Sequence, residues 1–260
     1  DTSISLAVAS VYNGNQLKCL YLGGITYYLV PIKYALLLEK KNSRYNKSLE
    51  KYWRIICDEF KPDIIHLHGT EFAHGLALLN ICNSRKTIVS IQGLVSIIQQ
   101  YYYADINLRN ILFNLTFKDI FGMDSIINQK RGFKKRGKIE IEILNKVNNV
   151  IGRTFWDRTH ALSINKKLKY YFCNETLREN FYHKKWEYEK CEPYSIFLSQ
   201  ASYPLKGLHI VLKSLPYLID EFPNIKVYIA GKDITNTSKL NIIYRLWKIY
   251  KKTYIKKRIE

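Results

Sequence analysis

The chain carries no Cys-x-x-Cys pair. Its five cysteines, Cys19, Cys57, Cys82, Cys173 and Cys191, are odd in number and widely spaced. That pattern argues against a disulfide or zinc framework and for reduced thiols in a cytoplasmic protein. No apolar run approaches the roughly 20 residues needed to span a bilayer, and no signal peptide is visible. Internal repeats and low-complexity linkers are also missing. The first residue is Asp1 rather than Met, so the natural start is expected to lie upstream. What the chain has in quantity is apolar material. A hydrophobic fraction of 47% over 260 residues supports real cores and excludes a disordered chain. The length holds one large or two ordinary domains.

Acidic residues are few. There are 22 Asp and Glu against 41 Lys and Arg, giving a net charge of +19. Much of the excess is local. Lys130 to Lys138 (KRGFKKRGK) holds six cations and no acid, and Tyr244 to Arg258 holds seven and no acid. Both stretches carry apolar residues at helical spacing, such as Ile243, Leu246 and Tyr250. Basic amphipathic helices favour anionic membrane surfaces and also suit nucleic acid. The plain alternative is a solvated basic face in a Lys- and Asn-rich composition.

Read for periodicity, the chain alternates strand and helix. Ile4 to Val11 reads as a strand. Leu17 to Leu22 and Ile25 to Ile32 flank Gly23-Gly24 as a hairpin. Apolar positions at Leu49, Tyr52, Trp53, Ile56 and Phe60 predict a helix that Pro62 stops. Asp63 to Leu67 reads as a strand, Phe72 to Cys82 as a helix and Thr87 to Ile91 as a strand. Tyr101 to Asn149 is helical and basic. Val150-Ile151 is strand-like, Asp157 to Leu162 helical, and Lys169 to Cys173 strand-like. Phe181 to Pro193 has no clean period and reads as a crossing between domains. Ile196 to Ser199 then opens a strand–loop–helix–strand unit. Its helix presents Leu208, Val211, Leu212, Leu215 and Leu218, and its second strand runs from Lys226 to Ala230. Alternation of this kind predicts parallel sheets covered by helices.

Ligands of open parallel sheets sit past the carboxyl ends of the strands. That rule selects four loops: His68 to Gly75, Gln92 to Ser96, Asn174 to Thr176, and Gln200 to Gly207. In the first, His66, His68, Glu71 and His74 lack standard metal-ligand spacing, and His66 is expected on the strand face opposite Leu67. No metal is therefore expected. Thr70 is a candidate helix cap. His68 and Glu71 suit contacts to sugar or phosphate, and Gln92 can hydrogen-bond a hydroxyl but cannot titrate. In the fourth loop Lys206-Gly207 stands where the helix begins, a place suited to phosphate.

The ordered segments PDIIHLHGTEFAHG, IVSIQGLVS, VIGRTFWDR, YYFCNETLRENFY and SIFLSQASYPLKGLH resemble the retaining glycosyltransferases of family 4 type, in a branch associated with bacterial surface polysaccharides. The resemblance runs from about residue 55 to 235 and implies a GT-B fold, two Rossmann-like α/β domains with parallel sheets. Residues 1–192 would form the acceptor-side domain without its first strand, and 193–260 the truncated start of the nucleotide-sugar domain. The resemblance implies that Lys206 binds the donor diphosphate, with Gly207, Gln200 and Ser202 beside it. Gln200 stands where the family often has arginine, and an amide cannot neutralise phosphate as arginine does. On the acceptor side the implied cleft residues are Gly69, His74, Gly93 and Asn174. Glu175 replaces the glycine of the family's Asn-Gly turn, and Gln92 replaces a histidine. His68, Glu71 and Gln92 are the catalytic candidates.

The family's pair of glutamates and its glycine-rich acceptor loop have no counterpart here. The resemblance implies sugar transfer, with retention, from a nucleotide-diphosphate sugar to a polysaccharide or lipid-linked glycan. No cofactor or metal would be needed. The site of action would be cytoplasmic, peripheral at the inner face of the plasma membrane, through Lys130–Lys138 and Tyr244–Arg258. The rivals are a catalytically silent fragment of such an enzyme, a basic nucleic-acid-binding module, and a GT-B relative that epimerises nucleotide sugars.

Overall fold

The computed structural model describes residues 4–32, 45–82, 86–113, 115, 125–183, 185–201 and 203–230. The basic stretch Tyr244–Arg258 and Ser202 lie outside them. The chain divides into two compact units. One comprises Asp1–Gln100 and Arg131–Glu175, the other Tyr101–Lys130 and Thr176–Glu260.

The first unit contains two sheets. Strands β1 (Leu6–Asn13), β2 (Lys18–Leu22) and β3 (Ile25–Ile32) form a sheet of order β1-β3-β2. β2 and β3 pair antiparallel across Gly23-Gly24, whose φ angles of 59° and 80° are readily open only to glycine. β1 instead runs parallel to β3. Strands β4 (Ile65–His68), β5 (Thr87–Ser90), β6 (Asn149–Gly152) and β7 (Lys169–Phe172) form a wholly parallel sheet in sequential order. With helices between its strands this is a Rossmann-like α/β arrangement.

The connecting helices follow the apolar pattern. Helix α1 (Glu50–Phe60) buries Trp53 and Ile56 and stops at Lys61, whose left-handed φ of 50° precedes Pro62. Helix α2 (Ala73–Leu79) is shorter than its periodicity predicts, because Phe72 is extended and acts as N-cap. The short helix α3 (Val95–Ile98) follows β5. The basic segment forms the middle of a 21-residue helix, α5 (Ile126–Lys146), which follows α4 (Leu108–Phe113). Arg131, Lys134, Lys135 and Lys138 are exposed along one side of α5, while Ile139, Ile143 and Leu144 are buried. Helix α6 (Phe155–Ile164) starts with a capping box between Thr154 and Asp157. Leu67, Val89 and Val150 from the parallel sheet join Val30, Ile143 and Leu144 in one core.

The second unit holds β8 (Ser195–Leu198), α7 (Leu208–Glu221) and β9 (Lys226–Ile229), with β8 and β9 parallel. Leu208 and Leu212 of α7 pack with Ala201, against Leu198 and Leu215. Among the described residues no helix is long and apolar enough to cross a membrane.

Candidate functional site

Backbone bonds beyond the strand ends knit the first-unit loops together. Gly69 donates to the Ser90 carbonyl (2.9 Å), Ile91 to Ile151 (2.8 Å), and Cys173 to Gly152 (3.0 Å). The result is a cavity of about 120 Å³ at the carboxyl ends of β4 to β7, lined in part by His68, Ser90, Arg153, Asn174 and Glu175. The sheet rule, applied to sequence alone, selects three of the loops that meet here.

Within the cavity wall, His66 and His68 lie on one face of β4, with ring centroids 4.1 Å apart, while Leu67 faces the core. The His66 Nε2 and the Ser90 hydroxyl are 2.6 Å apart. Partial desolvation, then repulsion from His68, holds His66 below the ordinary histidine range. Gly69 sits at φ 83°, a conformation that glycine supplies without strain. Across the cavity Arg153 and Glu175 form an ion pair at 2.8 Å. Glu175 also accepts from Gln92 Nε2 (3.1 Å), and Arg153 Nη2 donates to the Ile91 carbonyl (3.4 Å). Gln92, Arg153 and Glu175 thus join the loops after β5, β6 and β7. Gly93 continues the Gln92 loop, and Asn174 lies on the cavity wall.

Glu71 and His74 are not among the residues that line this cavity. Burial pushes the Glu71 carboxyl up, against the lowering effect of the Arg136 guanidinium. Arg136 itself stacks over the rings of Phe133 (4.3 Å) and Phe72 (5.9 Å). Burial pushes His74 down, and its ring stacks on Phe72 at 5.6 Å.

The residue that organises these loops is Glu140 of α5, which is fully buried. One carboxylate oxygen accepts from the Thr70 hydroxyl (2.8 Å) and Val95 N–H (3.0 Å). The other accepts from Ser96 N–H (2.9 Å) and the Ser96 hydroxyl (2.5 Å). Both oxygens act only as acceptors, as an ionised carboxylate does. Glu140 therefore caps α3 from another helix and fixes the loop after β4 at the same time. Thr70 is not the cap of α2, because its hydroxyl is committed to Glu140.

The four loops taken from the sequence include neither Glu140 nor Arg153. The signal for Arg153 is its place immediately after β6, which the same strand-end rule would have found. The signal for Glu140 is an acid set among the apolar positions Ile139, Ile143 and Leu144 of one helix face. Among the described residues no three His, Cys, Asp or Glu side chains converge as a metal site.

In the second unit, Pro204–Lys206 forms a single 3-10 turn, and Gly207 caps α7 with φ 76°. Gln200 and Lys206 are exposed, and Lys206 Nζ lies 5.3 Å from the Tyr203 ring centroid. Tyr203 stacks in parallel on Tyr102 at 6.4 Å. His209, buried in the first turn of α7, donates Nε2–H to the Ala104 carbonyl (2.6 Å). Ala104 and Asp105 both have positive φ, so this contact holds a tight turn against the lysine loop.

These two units define an α/β protein with polar loops at the carboxyl ends of parallel strands. No protein-family model matches the chain, and no curated protein matches it. Among solved structures it is similar to trehalose-6-phosphate from E. coli bound with UDP-2-fluoro glucose. The identity is 13% and the TM-score 0.46, over 94% of this chain and 62% of that chain. The present chain thus spans less than two thirds of the length of that one, and a likeness of this size bears on neither site nor activity.

Proposed function

We propose that the chain belongs to a GT-B glycosyltransferase that moves a sugar, with retention, from a nucleotide-diphosphate sugar to a polysaccharide or lipid-linked glycan. The observation that carries the reading is the β8–α7–β9 unit. It is a parallel strand–helix–strand unit in which Lys206-Gly207 falls at the helix N-terminus. The first N–H groups of a helix have no intrahelical acceptor, and with the helix dipole they favour an anion there. Lys206 adds a full charge. Gln200, Ser202 and Gly207 would complete the diphosphate contacts.

On this reading the first unit supplies the acceptor side. His68, Gln92, Arg153, Asn174 and Glu175 offer donors and acceptors suited to sugar hydroxyls, with Gly69 and Gly93 allowing close approach and His74 behind them. His68, Glu71 and Gln92 remain the candidates nearest the chemistry. Stabilisation of the departing diphosphate would supply much of the rate, with no metal assigned. The exposed cations of α5 would favour an anionic membrane surface.

Calorimetric titration of the chain with nucleoside diphosphates and their sugar conjugates tests the reading. A nucleotide diphosphate is expected to bind, and Lys206→Ala to weaken it about 10-fold or more, the scale of one charge-assisted contact. Binding to none of them, or an unchanged affinity in Lys206→Ala, would refute it.

A further inference from the structure

The Sγ atoms of Cys57 and Cys82 lie 3.3 Å apart. Cys57 is in the last turn of α1, and Cys82 lies just past the end of α2. Both residues are half-buried. The other three cysteines differ. Cys19 and Cys173 are exposed, the Cys173 thiol contacts the Asn174 carbonyl (3.7 Å), and the Cys191 thiol contacts that of Glu187 (3.6 Å).

We propose that Cys57 and Cys82 form a dithiol–disulfide pair, a modification site whose reagent is a low-molecular-weight disulfide such as oxidised glutathione. The remaining closure is small, since a disulfide bond is about 2.05 Å long. Cys82 belongs to a turn rather than a helix, and its N–H is held by the Leu78 carbonyl at 3.1 Å. It can therefore move toward α1 without breaking a helix.

The two thiols divide the chemistry. Either sulfur can donate across this contact; with Cys82 as the donor, the bond brings Cys57 down to about 7, against burial and the nearby Asp58. The same bond, then burial, pushes Cys82 up, against the lowering effect of Arg54. Cys57 is therefore the attacking thiolate near neutral pH. It attacks one sulfur of oxidised glutathione. The glutathione S–S bond breaks, one glutathione thiolate leaves, and a mixed disulfide remains on Cys57. With the Cys57 thiolate consumed, the interaction that holds the proton on Cys82 is gone. Cys82 then loses its proton and attacks the Cys57 sulfur, expelling the second glutathione thiolate. The protein gives up two protons and two electrons, and one oxidised glutathione becomes two reduced molecules.

The test is to equilibrate the reduced chain with graded ratios of oxidised to reduced glutathione, alkylate the remaining thiols, and map peptides by mass spectrometry. The expected result is joint loss of two of the five thiols, in a peptide pair linking Cys57 to Cys82, at ratios where Cys19, Cys173 and Cys191 are still alkylated. Cys82→Ser should trap glutathione on Cys57. The idea is overturned if Cys57 and Cys82 are lost independently, if either links to another cysteine, or if both persist after Cys19 has reacted. The peptide map of the unaltered chain decides the matter even if the variant does not fold.

Discussion

Gly137 and Glu140 stand one helical turn apart on α5, and both face Ser96. A Cβ on Gly137 would lie 2.7 Å from the Ser96 Cα, while the Glu140 carboxylate holds the Ser96 N–H and hydroxyl. The missing side chain at one position lets the helix come close enough for the carboxylate at the other to reach its donors.

Replacing Glu140 by Ala is expected to destabilise the fold by about 3 kcal/mol or more, because four buried donors lose their acceptor at once. Glu140→Gln should cost less but still be measurable, since its amide nitrogen turns a donor toward donors. Urea unfolding of the three proteins checks this. Equal midpoints would sink the structural role.

Gly137→Ala tests the close approach itself. The obstructing atom is backbone, so α5 must shift, at an expected cost of about 1–3 kcal/mol. The gain in helix propensity offsets only about 1 kcal/mol of this. A variant more stable than the parent would show that the contact is looser than described.

Acid should weaken the packing around β4 and the first turn of α2, where His66 and His74 stand. His74 and His66 have folded pKa values below the unfolded value of about 6.5. The folded state thus prefers both rings neutral. Above the unfolded pKa both states are neutral and no stability is at stake. Stability falls as pH drops from there toward the depressed folded values. Stability measured between pH 7.5 and 5 should decline, and His74→Phe should flatten part of the decline. A profile unchanged by that substitution would remove His74 as a cause.

The pair Arg153–Glu175 is only partly buried, its side chains being 32% and 55% exposed. A double-mutant cycle with Arg153→Met and Glu175→Gln should give a coupling of about 0.2–1 kcal/mol in stability. If the loops bind ligand as proposed, the same variants should lose ligand affinity by far more than they lose stability. Parallel losses would mark the pair as purely structural.

Much of the fold was legible because its signals are local. The turn at Gly23-Gly24, the stop at Lys61-Pro62 and the apolar face of α7 each depend on neighbouring residues. The parallel pairing of β1 with β3, and the reach of Glu140 to Thr70 and Ser96, depend on residues far apart in sequence and left no periodic trace. Periodicity marked Asp63 to Leu67 and Thr87 to Ile91 as strands, but it could not say that an acid at 140 would be buried beside them. For the same reason Gln92, legible as a loop residue, gained its partner Glu175 only from the folded sheet.

The sequential order β4-β5-β6-β7 hides an uneven folding task. β4 meets β5, and β6 meets β7, after short excursions of chain. β5 meets β6 only after the long passage from 91 to 148, and closing such a loop costs entropy before any contact repays it. The sheet therefore has a seam down its middle. Glu140 lies late in that passage, on the helix that leads into β6, and grips the loops that follow β4 and β5, so it acts as a clasp between the two halves of the sheet.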